Sequence, residues 1–342
     1  MYKLKTAIVF AVLVVLILSV SVSFLFIPLK KPGKKIEFII KPGTSVRSIA
    51  AILKEKKVIP NEKAFLIWIR FNKMEKRIQA GRVIFNEHDG IIRASKKLLD
   101  AKAIEIDITI REGFTIEQTA QEVVKTFPID TNVFISLCYD KEFIKTLNID
   151  VPSLEGYLYP NTYRFLPDAK SKKIITRFIR QFQAAYNTIE QTKVSKKFTK
   201  HEIVTLASIV EKEATLPEER RHISGVFHNR IRLRIPLGAD PTVRFFLKKF
   251  SGPLKVSELR NPSPYNTRIH VGLPPGPICS PGIKSIEAAI NPLKTKDLYF
   301  VAKWDGSGAH DFSETGAQHE RKKLEIRRKN QLRIKKLKRG KK

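Results

Sequence analysis

Residues 199–213 read Thr199-Lys200-His201-Glu202-Ile203-Val204-Thr205-Leu206-Ala207-Ser208-Ile209-Val210-Glu211-Lys212-Glu213. A threonine followed three residues later by a glutamate is a capping box, so a helix opens here. Ile203, Leu206, Ala207 and Val210 then share one face. At about 100° per residue, Glu211 and Glu213 flank that face and Lys212 points away. Glu213 follows Val210 by three positions and lies nearer the centre of the face. A carboxyl group there is partly desolvated, which raises its pKa and keeps it protonated near neutrality. That is what a general acid requires. An ordinary solvated glutamate at a helix end fits the same pattern, so the wheel alone leaves both readings open.

The chain beyond this helix is rich in turns. Thr215-Leu216-Pro217-Glu218 starts a second helix, with Ile223, Val226, Phe227 and Ile231 as its apolar stripe and Asn229-Arg230 beside it. Pro236-Leu237-Gly238-Ala239-Asp240-Pro241-Thr242-Val243 is a loop running into a strand or a helix. Residues 261–282 read almost wholly as proline-rich loop, and loops of that length in a compact domain usually shape a site. Residues 286–290 read as a short helix and 298–302 as a strand, and Asp305-Gly306 marks a hairpin tip before His310-Asp311-Phe312-Ser313.

Toward the N-terminus, residues 151–165 carry four aromatic side chains and one acid in a run dense in turn residues. Such a run fits a carbohydrate-facing wall or an aromatic plug in the core. Residues 116–150 read as helical. Ile104, Ile106, Ile108 and Ile110 alternate strictly with polar residues, as in a half-buried strand, and lead through Glu112-Gly113 to a second capping box, Thr115 with Gln118. A similar strand, turn and helix comes earlier: residues 36–43 end at Pro42-Gly43, and Thr44 or Ser45 caps a helix carrying Val46, Ile49, Ala50, Ile52 and Leu53. A further helix is expected around Glu62–Phe71. The two strand-turn-helix units suggest a small α/β module or a repeat of one.

Residues 6–29 contain no charged side chain, enough to cross a hydrocarbon core of about 30 Å as one helix. A cleaved signal peptide is the competing reading, with Ser21 and Ser23 at the processing site. Lys30, Lys31, Lys34 and Lys35 follow the span and outnumber Lys3 and Lys5 before it, which read locally would put the C-terminal side in the cytoplasm.

The 342 residues leave room for about two domains. With 42% hydrophobic and 28% charged residues, the composition excludes wholesale disorder. Two cysteines, Cys138 and Cys279, exclude a disulfide framework, and no Cys/His spacing suits a structural zinc. The net charge is +31, with 13 Lys/Arg against one acid in residues 321–342. Such a chain attracts polyanions of any kind. A nucleic-acid role sits badly with the apolar span, and the tail reads as a solvated segment or as an amphipathic helix for anionic lipid or wall polymer.

Seven motifs occur in order: Glu155-Gly156-Tyr157-Leu158-Tyr159-Pro160-Asn161-Thr162-Tyr163, Ala207-Ser208-Ile209-Val210-Glu211-Lys212-Glu213, Phe227-His228-Asn229-Arg230, Ala239-Asp240-Pro241-Thr242-Val243, Tyr265-Asn266-Thr267, Gly272-Leu273-Pro274-Pro275-Gly276-Pro277-Ile278 and Leu298-Tyr299-Phe300-Val301. With the span and Pro42-Gly43-Thr44, they make the chain resemble the YceG-like (MltG) endolytic murein transglycosylases over roughly residues 36–320. The resemblance implies an α+β fold: a cytoplasmic N-terminus at 1–5, a transmembrane helix at 6–29, a LysM-like α/β module in the region 36–110, a mixed α/β catalytic domain with long Pro/Gly-rich loops at 111–320, and the basic tail at 321–342. It places the catalytic domain outside the cytoplasm on an inner-membrane anchor, against the local lysine count. It implies a lyase that cuts the MurNAc-β-1,4-GlcNAc bond of peptidoglycan to leave 1,6-anhydro ends, with no cofactor and no metal. It makes Glu213 the catalytic acid and then base, and puts Glu155, Tyr157, Glu211, Asn229, Asp240, Thr242, Tyr265 and Asn266 along the substrate cleft. The implied partners are glycan strands, the membrane and the peptidoglycan synthesis machinery; nucleic acid is not among them.

Two departures from the pattern stand out. Asn161 occupies a position where aspartate is common, and the closing His310-Asp311-Phe312-Ser313 differs from the usual hairpin end. Two rival functions remain on sequence grounds. One is a two-carboxylate hydrolase with Glu155 or Asp240 as nucleophile or base. The other is a non-enzymatic wall-binding scaffold.

Overall fold

The computed structural model describes residues 33–41, 43–101, 105–192 and 195–339. The span expected at 6–29 lies outside them, as do Pro42 and Ile104. No described helix is long and apolar enough to cross a membrane. The chain forms two compact units, one comprising the residues up to Ile106 with Leu166–Asp168, the other Asp107–Phe165 and Ala169–Lys342.

In the first unit, strand β1 (Lys35–Ile40) pairs antiparallel with β2 (Gly81–Asn86), Lys35 opposite Asn86 and Ile40 opposite Gly81. Between them lie α1 (Val46–Glu55) and α2 (Glu62–Phe71), and α3 (Gly90–Leu99) follows. Ser45 is the cap of α1, its hydroxyl accepting from the Ser48 amide at 3.1 Å, while Thr44 turns back to the Lys41 carbonyl. Ile49 and Leu53 of α1, Phe65 and Ile69 of α2, Phe85 of β2 and Ile91 of α3 are fully buried in one core. The apolar positions three and four apart seen in the sequence are the ones that meet there.

The second unit begins its own strand within β3 (Ile106–Ile110), which pairs with β4 (Asn161–Phe165). Ile108 and Ile110 are buried and Asp107 and Thr109 exposed, as the alternation requires. Residues 116–150 divide into α4 (Ile116–Thr126), α5 (Thr131–Leu137) and α6 (Lys141–Thr146), the latter two capped by Asp130 and Asp140. The aromatic run at 151–165 is core rather than wall: Tyr157, Tyr159, Tyr163 and Phe165 are all buried, and the run ends as strand β4 instead of loop. Tyr163 and Phe165 pack on Phe178 of α7 (Ser171–Asn187). Alternation in Thr162-Tyr163-Arg164-Phe165 puts both rings on one face, which makes the strand.

Helix α8 (Lys200–Glu213) is the hub of this unit, with every residue from Ile203 to Val210 buried. Helices α9 (Arg220–Arg232) and α12 (Ile283–Ile290) pack against it. The 236–243 segment resolves as α10 (Asp240–Phe246), with Pro241 in its first turn. A short α11 (Val256–Leu259) precedes the long loop. Strands β5 (Tyr299–Ala302) and β6 (His310–Ser313) form an antiparallel hairpin, Tyr299 opposite Ser313 and Ala302 opposite His310. Helix α13 (Gly316–Arg339) contains most of the basic tail and packs on that hairpin. Both cysteines are buried and free.

Candidate functional site

The apolar run of α8 ends one turn before the helix does, so Glu213, its last residue, is carried by a rigid rod to the edge of the core. There it meets a cavity of about 620 Å³. Phe227 and Arg230 of α9, the 236–240 segment, Arg268, and Tyr299, Phe300, Trp304 and His310 of the hairpin line the rest, with His319 from α13. Among the described residues the Glu213 carboxylate takes no hydrogen bond and no ion pair, which leaves it open to the cavity. Burial pushes its pKa up to about 7, the charge of Asp240 adds to the rise, and Arg230 opposes it. A carboxyl group in this state can deliver a proton near neutral pH.

Arg230 organises the wall. Its Nε donates to the Leu298 carbonyl at 2.6 Å, and its Nη1 donates to the carbonyls of Leu237 (2.8 Å) and Pro236 (3.2 Å). The guanidinium also lies 4.9 Å from the centre of the Tyr299 ring. One side chain thus ties α9, the 236–238 loop and β5 together. Gly238 has φ +66°, and a Cβ there would lie 3.2 Å from Arg230 Nη1, so glycine suits the turn on two counts. The Thr267 carbonyl accepts from the Gly238 amide at 2.8 Å, and Thr267 Oγ1 accepts from the Ala239 amide at 3.1 Å. These contacts present Asp240 at the start of α10, where Arg268 Nη1 donates to its Oδ1 at 2.6 Å.

Of the residues singled out in the sequence, Glu213 and Asp240 share this cavity. The others do not line it. Glu155 is interior: its Oε2 accepts from the Ile116 amide at 3.1 Å, and its Oε1 has no partner among the described residues. Tyr157 is fully buried, and its hydroxyl meets His201 Nδ1 at 2.8 Å, while His201 Nε2 reaches the Pro275 carbonyl at 3.1 Å. Glu211 caps α12, accepting from the Gly282 amide at 3.1 Å and the Ser285 hydroxyl at 2.6 Å. Asn229 donates to the carbonyls of Thr295 and Asp297, and it lines a second cavity, of about 730 Å³. Thr242 is buried on the Ala239 carbonyl at 2.7 Å. Tyr265 packs on Phe245. Asn266 is buried, donates to the Leu259 and Asn261 carbonyls, and accepts from the Arg268 amide at 3.1 Å, so it sets the loop that carries Arg268. Arg268, Trp304 and His319 carried no signal in the sequence. Tyr299 and His310 lay in quoted segments, but only the hairpin's fold brings them to Glu213.

Residues 38–325 match the YceG-like family. The chain belongs to that family. An endolytic murein transglycosylase of Bacillus subtilis (strain 168) is 34% identical over 313 residues, covering 86% of each chain. An endolytic murein transglycosylase of Streptococcus pneumoniae serotype 2 (strain D39 / NCTC 7466) is 31% identical over 220 residues, 57% of this chain and 40% of that one. The crystal structure of a YceG-like protein from Listeria monocytogenes superposes with a TM-score of 0.57 at 32% identity, over 84% of this chain and 99% of that one. As a YceG-like protein, the chain keeps its two cavity carboxylates on separate elements, one ending α8 and one starting α10.

Two titrations follow from this geometry. Asp240→Asn removes a charge that raises the Glu213 pKa, so that pKa is expected to fall, read by carboxyl-carbon NMR. An unchanged value would mean that Asp240 does not act on Glu213. Burial pushes Glu155 up to about 8 from an unfolded value of 4.5. Between those values the folded chain holds a proton that the unfolded chain releases, so stability falls as pH rises across this window and levels off above it. The loss across the whole window is on the order of 5 kcal/mol. Glu155→Gln keeps an acceptor for the Ile116 amide and is expected to flatten the slope, measured by urea unfolding at pH 4.5 and pH 8. A slope equal to that of the wild type would show that Glu155 does not titrate there.

Proposed function

We propose that this chain is a membrane-anchored endolytic peptidoglycan lytic transglycosylase. It cleaves the MurNAc-β-1,4-GlcNAc bond of nascent glycan strands and leaves 1,6-anhydroMurNAc ends, which limits strand elongation. The observation that carries the reading is Glu213: a carboxyl group with its pKa near 7, without a hydrogen bond or ion pair among the described residues, facing a cavity lined by Tyr299, Phe300 and Trp304. Flat aromatic side chains beside one protonated carboxyl suit a sugar chain presented for acid-catalysed cleavage. The names of the relatives in B. subtilis and S. pneumoniae support the same substrate.

In this reading Glu213 gives its proton to the leaving glycosidic oxygen as the bond to C1 breaks. The C6 hydroxyl of the muramic residue closes on C1, and its proton passes to a base in the cavity. Ionised Glu213 can take that proton once it has given up its own, the acid-to-base switch of retaining glycosidases. Residues 6–29 anchor the chain in the inner membrane with the catalytic unit outside the cytoplasm. The 36–110 region serves as a LysM-like module on the glycan, beside the synthesis machinery.

Asp240 in the same cavity favours one rival, a hydrolase with two carboxylates. Its ion pair with Arg268 at 2.6 Å engages Oδ1 alone and leaves Oδ2 for such a role. Digestion of glycan strands by the full chain in heavy-oxygen water decides between the two. No heavy oxygen in the new ends is expected; its incorporation would make the enzyme a hydrolase.

A further inference from the structure

Glu219, just before α9, points both carboxylate oxygens at one residue. Its Oε1 accepts from the His310 backbone amide at 2.9 Å, and its Oε2 meets His310 Nδ1 at 2.6 Å. The two side chains are 13% and 8% exposed, so the pair is shielded from competing water. Glu219 does not line the cavity; His310 does, on the same cavity as Glu213. Both carboxylate oxygens act as acceptors here, so the imidazole proton sits on Nδ1. In the neutral ring Nε2 then carries the lone pair, and among the described residues nothing hydrogen-bonds it. The ring is held further by Phe300, edge-on at 5.4 Å between centroids. A buried carboxylate that sets the tautomer of a cavity-lining histidine, with the other nitrogen unpaired, is the arrangement that makes a histidine a proton acceptor.

Ring closure needs such an acceptor where it begins before Glu213 has given up its proton. While Glu213 still holds or is transferring its proton to the leaving oxygen, it cannot accept one from the attacking hydroxyl. We infer that His310, oriented by Glu219, is a second proton-transfer residue of this site and takes the C6 hydroxyl proton as the 1,6-anhydro ring closes. The inference rests on the transglycosylase reading of the cavity. The O6–H bond breaks with its proton going to His310 Nε2, the O6–C1 bond forms, the bond from C1 to the leaving oxygen breaks, and that oxygen takes the Glu213 proton. The site ends with Glu213 ionised and His310 protonated, and proton exchange with water restores both. His310 is thereby a catalytic residue and Glu219 a positioning residue.

Glutamine at 219 separates this role from simple bracing. Its one oxygen can serve the backbone amide, but its NH2 then faces Nδ1. That forces Nδ1 to accept and moves the ring proton to Nε2, where the histidine can no longer take a proton. The test uses the full chain as wild type, His310→Gln and Glu219→Gln. Anhydro ends released from isolated glycan strands are counted, and imidazole nitrogens are read by NMR, with His310 assigned by its absence in His310→Gln. Both variants are expected to lose on the order of 100-fold in kcat with KM little changed. The His310 proton is expected on Nδ1 in the wild type and on Nε2 in Glu219→Gln. The wild-type spectrum needs no variant to fold at 219, so a wild-type proton on Nε2 overturns the assignment by itself. Normal yields of anhydro ends from folded His310→Gln overturn it while leaving the transglycosylase reading in place. Absence of anhydro ends from the wild type overturns that reading and this assignment with it.

Discussion

Glu213→Gln is expected to lower glycan cleavage by at least about 10³-fold while leaving the fold and its thermal midpoint nearly unchanged. The substitution preserves the shape of a side chain that makes no hydrogen bond or ion pair with the described residues, so little packing is at stake. It removes the only proton on that group that can be delivered to a leaving oxygen. Because the acid must be protonated, wild-type activity is expected to fall as pH rises through about 7, and that alkaline limb follows the Glu213 pKa. Product release from glycan strands by the purified variant checks the first point, and the rate profile of the wild type checks the second. A folded Glu213→Gln protein with wild-type activity would move the acid elsewhere in the cavity.

Gly156→Ala is expected to destabilise the second unit strongly, costing about 3 kcal/mol. Gly156 has φ +85°, where any Cβ is strained. That Cβ would also lie 2.6 Å from Pro277 Cγ, closer still to Pro277 Cβ, and 3.2 Å from Val204 Cγ1. Val204 is fully buried and Pro277 is a ring, so neither can swing aside. Relief would have to come from moving α8 or the 272–278 loop. Gly282→Ala is the control: its Cβ would meet only the end of Glu112, a side chain 50% exposed, and φ there is ordinary. Gly156→Ala is expected to lower the thermal midpoint by roughly 8 °C, and Gly282→Ala by less than about 3 °C. Equal midpoints for the two would mean that the chain yields at Pro277 and that this junction is not rigid.

These two positions mark what could be read in the sequence. Local signals carried through: the capping boxes at Thr115 and Thr199 both form with the glutamine and glutamate three residues on, and the Asp305-Gly306 hairpin closes between β5 and β6. Capping and alternation depend on neighbours a few residues away, so a linear reading finds them. Placement in the cavity depends on contacts between distant segments. Tyr157 and Asn266 have the side chains of sugar-binding residues, yet one is stacked on His201 inside the core and the other holds a loop turn. Their motifs join: Tyr157 reaches the proline-rich loop through His201 and Pro275, and Gly156 sits against Pro277. Much of the motif pattern therefore describes the packing that supports the site rather than its surface.

The basic tail shows the same limit from the other side. In sequence it is a charge run. In the fold, His319 lies against Tyr299 at 5.2 Å between ring centres, Lys322 donates to the Phe312 carbonyl, and Arg333 donates to the Asp305 carbonyl at 2.8 Å. The first turns of α13 are a wall of the cavity and a brace for the hairpin that carries Trp304. No local pattern in residues 316–339 announces that, because the partners are other strands.

The central claim is that one protonated carboxyl, Glu213, cleaves glycan without adding water. Isolated glycan strands incubated with the full chain, as wild type and as Glu213→Gln, and analysed by mass spectrometry test it most directly. The expected result is new ends lighter by one water than hydrolysed ends, formed by the wild type alone. Reducing ends from the wild type, or anhydro ends from folded Glu213→Gln, would contradict it.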